Sequence, residues 1–144
     1  MAGSPCVFCL LVSAAVLPLA GCGSGSRLPQ YKVHGQVLSH GEPAAGAIVV
    51  LHPVNTTAAV SPYPPRGVAG KDGTFVVTSR TTDDGAPEGE YAVTIIWPAE
   101  EDPKKQFDNT PPDRLKNRYN DVKRAKWNLH VTAGTNTLEA FNLE

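Results

Sequence analysis

The stretch Pro87-Glu88-Gly89-Glu90-Tyr91-Ala92-Val93-Thr94-Ile95-Ile96-Trp97 (PEGEYAVTIIW) decides the fold class. Tyr91, Val93, Ile95 and Trp97 alternate with Ala92, Thr94 and Ile96. A period of two is the mark of a strand, because successive side chains point to opposite faces. Gly89 turns the chain just before the strand, and the Tyr91 ring is placed to pack inward. The same alternation recurs on both sides of this stretch. Upstream, Tyr31, Val33 and Val37 alternate with Lys32, His34 and Gln36. Ala47 to Leu51 is a continuous apolar run, as in a strand covered on both faces. Downstream, Trp127, Leu129 and Val131 alternate with Asn128, His130 and Thr132.

Val68-Ala69 and Thr74 to Thr78 flank Lys71-Asp72-Gly73. Asp-Gly between two β-prone runs predicts a hairpin with a type I′ turn. The last strand ends Phe141-Asn142-Leu143, and Leu138 is out of phase with it, which predicts a bulge. These segments give seven expected strands and no long helix, hence a seven-stranded antiparallel Greek-key β-sandwich. Two stretches break the pattern: Asn55 to Pro65, and the polar insertion Pro98 to Lys126. Within the insertion, Pro111 to Tyr119 is expected to form one or two helical turns with Leu115 and Tyr119 on one face.

The chain has 144 residues, 13 Lys+Arg and 14 Asp+Glu, for a formal net charge of -1. That balance argues against a nucleic-acid-binding domain. Every charged side chain lies from Arg27 onward. Val7 to Leu19 is an apolar run of thirteen residues. A membrane-spanning helix needs about 20, whereas the core of a signal peptide needs about 7–15. The run therefore reads as a signal peptide, although Met1–Ser4 carries no Lys or Arg.

After the run comes Leu19-Ala20-Gly21-Cys22, which resembles the lipobox of bacterial lipoproteins. The resemblance implies acylation of the Cys22 sulfur and cleavage just before Cys22. It implies residues 1–21 as signal peptide, 22–30 as lipidated Cys and flexible tether, and 31–144 as the folded domain. Gly23, rather than Asp, follows the Cys, which by the same resemblance implies export to the outer membrane. Cysteine usage agrees. Cys6 and Cys9 lie in the removed segment, so Cys22 is left without an intramolecular disulfide partner.

The wider pattern runs Tyr31-x-Val-x-Gly-x-Val, Gly46-Ala47-x-Val, Gly70-Lys71-Asp72-Gly73-x-Phe75 and Pro87-x-Gly-x-Tyr91-x-Val-x-Ile95, followed by Asp113-Arg114-Leu115…Arg118-Tyr119 and an ending Gly134-x-Asn136-x-Leu138…Phe141-x-Leu143. It is similar to the carboxypeptidase regulatory-like, or transthyretin-like, β-sandwich domains of small bacterial lipoproteins. The resemblance implies that fold and no particular activity.

No catalytic constellation stands out. His34, His40, His52 and His130 fall on different segments without metal-ligand spacing, so no metal or other cofactor is expected. Related sandwiches include a ferric dioxygenase with paired Tyr and His ligands, and this chain has no matching pair. Asp83-Asp84 and Glu88-Glu90 read as a solvated loop. Charge is uneven in one place. From Lys104 to Lys126 there are eight basic and three acidic residues. Arg114, Arg118, Lys123, Arg124 and Lys126 are the candidate surface for an anionic partner, either a protein or an acidic polysaccharide. The expectation is a non-enzymatic extracytoplasmic module held to a membrane by its lipid. One alternative is a carbohydrate- or cell-wall-binding module using exposed aromatics such as Tyr63 or Trp127. The other is an enzyme whose site carries no familiar motif.

Overall fold

The computed structural model describes residues 28–54, 63–100 and 111–144. The apolar run read as a signal peptide, the Gly-Ser stretch read as a tether and Cys22 lie outside the described residues, as do Lys104 and Lys105. Nine strands follow one another among the described residues. They are β1 (Val33–Ser39), β2 (Glu42–Pro43), β3 (Ile48–Pro53), β4 (Arg66–Val68), β5 (Thr74–Val76), β6 (Gly89–Ile96), β7 (Trp127–Val131), β8 (Asn136–Thr137) and β9 (Phe141–Leu143).

These strands form two sheets, as a sandwich requires. One sheet has the order β4-β3-β6-β7, all antiparallel. The other is built around β1. Val37 gives its N–H to Gly73 O and accepts from Ala44 N–H, while Val33 O accepts from Val77 N–H. Odd-numbered residues of β1 therefore bond along the β2 and β5 edge. Lys32 O and His34 O accept from Asn136 and Leu138 on the opposite edge.

The core is where the alternation put it. Tyr91, Val93 and Ile95 face inward from β6, and Val33 and Val37 face them from β1, all fully buried or nearly so. Val49, Leu51, Phe75, Val77, Val131, Phe141 and Leu143 complete the interior. Burying one such aliphatic side chain stabilises the fold by about 1.5–3 kcal/mol. The run Ala47 to Leu51 behaves as expected of a strand covered on both sides: Ala47, Val49 and Leu51 are buried and Ile48 and Val50 half-buried. On β6 the outer-facing Ala92 and Thr94 are also buried, and His52 Nε2 lies 2.9 Å from Thr94 Oγ1. Burial lowers the His52 pKa.

Four sequence expectations change in detail. The strand count is nine rather than seven, because the C-terminal strand is two short pieces and β2 forms a brief hairpin with β1. Pairing of β1 with β8 and β9 is parallel, so the β1 sheet is mixed rather than purely antiparallel. The expected bulge exists. His34 pairs with Thr137 but Val37 with Phe141, so one extra residue is taken up between β8 and β9.

The turns also differ. Asp72-Gly73 is not a type I′ turn, since Gly73 has a positive φ (78°) and Asp72 does not. Gly73 N–H bonds Gly70 O, and the Asp72 carboxylate accepts from Thr74 N–H and Oγ1 instead. The two-residue hairpin with both φ positive is Ser39-His40-Gly41-Glu42, where His40 has φ 50° and Gly41 φ 84°. Residues 114–119 are turns rather than helix. Lys116 and Asn117 adopt positive φ (53° and 59°), which ends any helical run.

The acidic loop has a structural job that its composition hid. The Asp84 carboxylate accepts from the backbone N–H groups of Ser79 (2.7 Å), Arg80 (3.0 Å) and Thr81 (3.0 Å). Burial alone would raise its pKa, but the N–H donors of Ser79, Thr81 and Arg80 outweigh that and hold it below the usual carboxylate value.

Candidate functional site

The basic segment is assembled on a single carboxylate. Asp113 accepts from Trp97 N–H (2.9 Å), Leu115 N–H (3.0 Å) and Asn117 N–H (2.9 Å). That pins the start of the segment to the end of β6. Tyr119 O then accepts from Ile95 N–H at 3.0 Å, where it extends the ladder that β7 makes with β6. The Tyr119 ring is buried against Trp127, and Trp127 against Phe141, with centroids 5.2 Å apart in each pair. Leu115 and Tyr119 both pack on the core, as their spacing implied, although through turns.

Most of the candidate cations are engaged within the chain. The Arg114 guanidinium lies 4.9 Å from the Trp97 ring centroid and 3.7 Å from Glu100. Arg118 donates to the main-chain oxygen of Glu144 at 2.8 Å. Lys126 Nζ sits over the Trp127 and Tyr119 rings, 5.1 and 5.7 Å from their centroids, and 3.9 Å from Glu144 Oε1. Arg124 pairs with Asp121 at 2.9 Å. That bond, with the Lys123 N–H, holds the Asp121 carboxyl below its usual value. Asp121 also caps the 3-10 turn Val122–Arg124. The Lys123 side chain makes no ion pair among the described residues. Much of the positive charge of the segment is thus engaged within the chain, and the free positive surface is narrower than the run of basic residues suggested.

The aromatic candidates part ways. Tyr63 is 75% exposed, whereas Trp127 is half-buried beneath Lys126 and is not an open platform for a sugar ring. The histidines stay apart: His34 meets Thr137 (2.9 Å) on one sheet, and His52 meets Thr94 on the other. Among the described residues no group of three His, Cys, Asp or Glu side chains is placed to hold a metal ion. None of the described helices is long and apolar enough to cross a membrane.

Sequence reasoning passed over one feature. An open groove of about 500 Å³ lies where β4 and β5 meet, walled by Arg66, Val68, Thr74, Val76, Thr78 and Asp83. Val68 is 59% and Val76 40% exposed. Their outward phase was available in the alternation Gly67-Val68-Ala69 and Phe75-Val76-Val77, which places both valines off the core face.

No protein-family model matches this chain, and no curated protein matches it. Two solved structures are similar. One is a DUF3823 family protein from Parabacteroides merdae, with 16% identity and a TM-score of 0.42, covering 78% of this chain and 45% of that one. The other is a 9R-lipoxygenase from Cyanothece PCC8801, with 15% identity and a TM-score of 0.42, covering 80% of this chain and 16% of that one. This chain therefore spans less than half the length of either, and neither neighbour's chemistry transfers to it.

Proposed function

We propose that this chain is a lipid-anchored, non-enzymatic binding or scaffolding module. It works outside the cytoplasm, and its sandwich is of the carboxypeptidase regulatory-like kind. The observation that carries the reading is the order of parts. The lipobox Leu19-Ala20-Gly21-Cys22 is followed at once by Gly23-Ser24-Gly25-Ser26. The described fold then begins at Tyr31, bridged to Ala86 by two backbone hydrogen bonds of 2.9 and 3.0 Å. A short Gly/Ser linker gives a tethered domain freedom to orient, because those residues add no stiffening side chains. Acylation also accounts for a lone cysteine in an exported chain, and two or more acyl chains anchor stably where one does not.

Expressed with its lipobox, the wild-type protein should partition with membranes and incorporate labelled palmitate. Cys22→Ser should abolish the label and move the protein out of the membrane fraction. A Cys22→Ser protein that is still labelled would overturn the reading.

The exposed basic residues are then the candidate contact for an anionic partner. Lys123 and Arg124 are both exposed members of this set. With both changed to Glu, retention on an anionic polysaccharide matrix should be lost, and in the wild type it should weaken as salt rises. Retention unchanged by the reversal would remove this contact from the account.

A further inference from the structure

The groove between β4 and β5 is a broken rung in a hydrogen-bonded ladder. On β4, Gly67 pairs with Val49, and the flanking bonds Ala69 N–H to Ala47 O and Leu51 N–H to Pro65 O follow the same parity. Arg66, Val68 and Gly70 therefore turn their peptide groups toward β5. On β5, Val77 N–H bonds Val33 O and Gly73 O accepts from Val37 N–H, so Thr74, Val76 and Thr78 turn theirs toward β4. The outer rungs are made. Arg66 and Thr78 exchange two bonds (2.9 and 2.8 Å), and Gly70 N–H reaches Thr74 O at 2.7 Å. The rung between them, Val68 to Val76, is not made among the described residues: Ala69 and Val77 carry no bridge, and β4 and β5 are not neighbours in either sheet. The Val68 and Val76 peptide groups on the facing edges are thus left without this rung among the described residues.

The surroundings define what can fill this opening. Its floor is close-packed: a Cβ on Gly67 would meet the Phe75 ring and the Val76 carbonyl oxygen, each at 2.8 Å, so both lie against β4. The exposed Val68 and Val76 side chains flank it. Arg66 and Asp83 stand at the rim, and neither forms an ion pair among the described residues. Asp83 opposes an anion and Arg66 opposes a cation, so the ligand is uncharged overall. The closed rungs on both sides exclude an inserted peptide strand, which would need several consecutive open positions. A sugar fits this description: each hydroxyl both donates and accepts, vicinal hydroxyls match carboxylate and guanidinium groups, and the ring C–H face packs on valine.

We propose that the Val68–Val76 opening binds a neutral saccharide, read through backbone groups, with Arg66 and Asp83 fixing its orientation. This rests on the reading of the chain as a binding module and is independent of the anchor.

The test is amide NMR on the full chain in detergent micelles. In the free protein the Val68 and Val76 amides should exchange with solvent far faster than those of Arg66, Gly70 and Thr78. Cellohexaose, xylohexaose, maltohexaose and chitohexaose are then titrated in turn. At least one should shift the Val68 and Val76 amides saturably and slow their exchange. Val76→Lys changes an exposed position and should weaken that binding about tenfold or more, as should Asp83→Ala, by removing a hydrogen bond to a charged acceptor. Slow exchange at Val68 and Val76 in the free protein would show a closed rung and overturn the site. So would shifts confined to other residues, no saturable shift with any of the four sugars, or equal shifts from an extended hexapeptide. None of these outcomes bears on palmitate incorporation, so the site and the anchor fail separately.

Discussion

Replacing Tyr91 by alanine is expected to destabilise the domain by about 4 kcal/mol, in the range for deleting a buried aromatic side chain. Tyr91 is fully buried near the start of β6, and its hydroxyl donates to Pro87 O at 2.8 Å. The ring fills the space between the sheets, and the hydroxyl ties the strand to the turn that precedes it. Tyr91→Phe keeps the ring and loses only that tie. It should cost about 1–2 kcal/mol, because the Pro87 carbonyl is left short of a donor in a buried place. Urea denaturation of the two variants separates packing from hydrogen bonding.

The same burial pushes the Tyr91 phenol up to about 12. In the unfolded chain it ionises near 10. Its contribution is therefore complete below pH 10 and is lost as pH rises through about 12, since only the unfolded state releases the proton in between. Tyr91→Phe should flatten that alkaline limb of the stability curve. An unchanged limb would mean that Tyr91 is reached by solvent.

Gly85→Ala should be about as damaging, about 3–4 kcal/mol, from strain and overlap together. Gly85 has φ 89°, a conformation that a Cβ disfavours. A Cβ there would also run into the Tyr31 carbonyl. That carbonyl accepts from Ala86 N–H, and Gly85 N–H bonds Val77 O, so neither side of the contact can yield without breaking a bridge. Asp84 and Ser79 hold the same loop, the Ser79 hydroxyl bonding Gly85 O. The expected readout is a lowered urea midpoint with an unchanged slope. A midpoint equal to wild type would show that the first strand docks differently.

Legibility in the sequence followed the range of the forces at work. Alternation around Tyr91 and Val33 located the inward faces, because burial acts residue by residue along a strand. The out-of-phase Leu138 announced the bulge for the same reason. Partner choice was less visible. Nothing local to Thr74–Val76 says that it pairs with β1 while Arg66–Val68 pairs with β3, so the Asp72-Gly73 segment read as a simple hairpin. The hairpin at His40-Gly41 was missed because His-Gly is not one of the Asn-Gly or Asp-Gly pairs that announce such a turn. The basic run was plain as composition, but its pairing with Glu100, Asp121 and Glu144 depends on residues distant in the chain or hidden by the turn geometry. The broken rung at Val68 and Val76 is a relation between two strands and has no signature in either alone.

The central claim is that the sandwich is tethered by lipid on Cys22. The most direct test is the intact mass of the protein purified from membranes, with a fragment spectrum of its N-terminal peptide. The account predicts a chain beginning at Cys22, with a diacylglycerol thioether on its sulfur and no residues 1–21. A chain with an unmodified Cys22 thiol, or one still carrying Leu19-Ala20-Gly21, would contradict it.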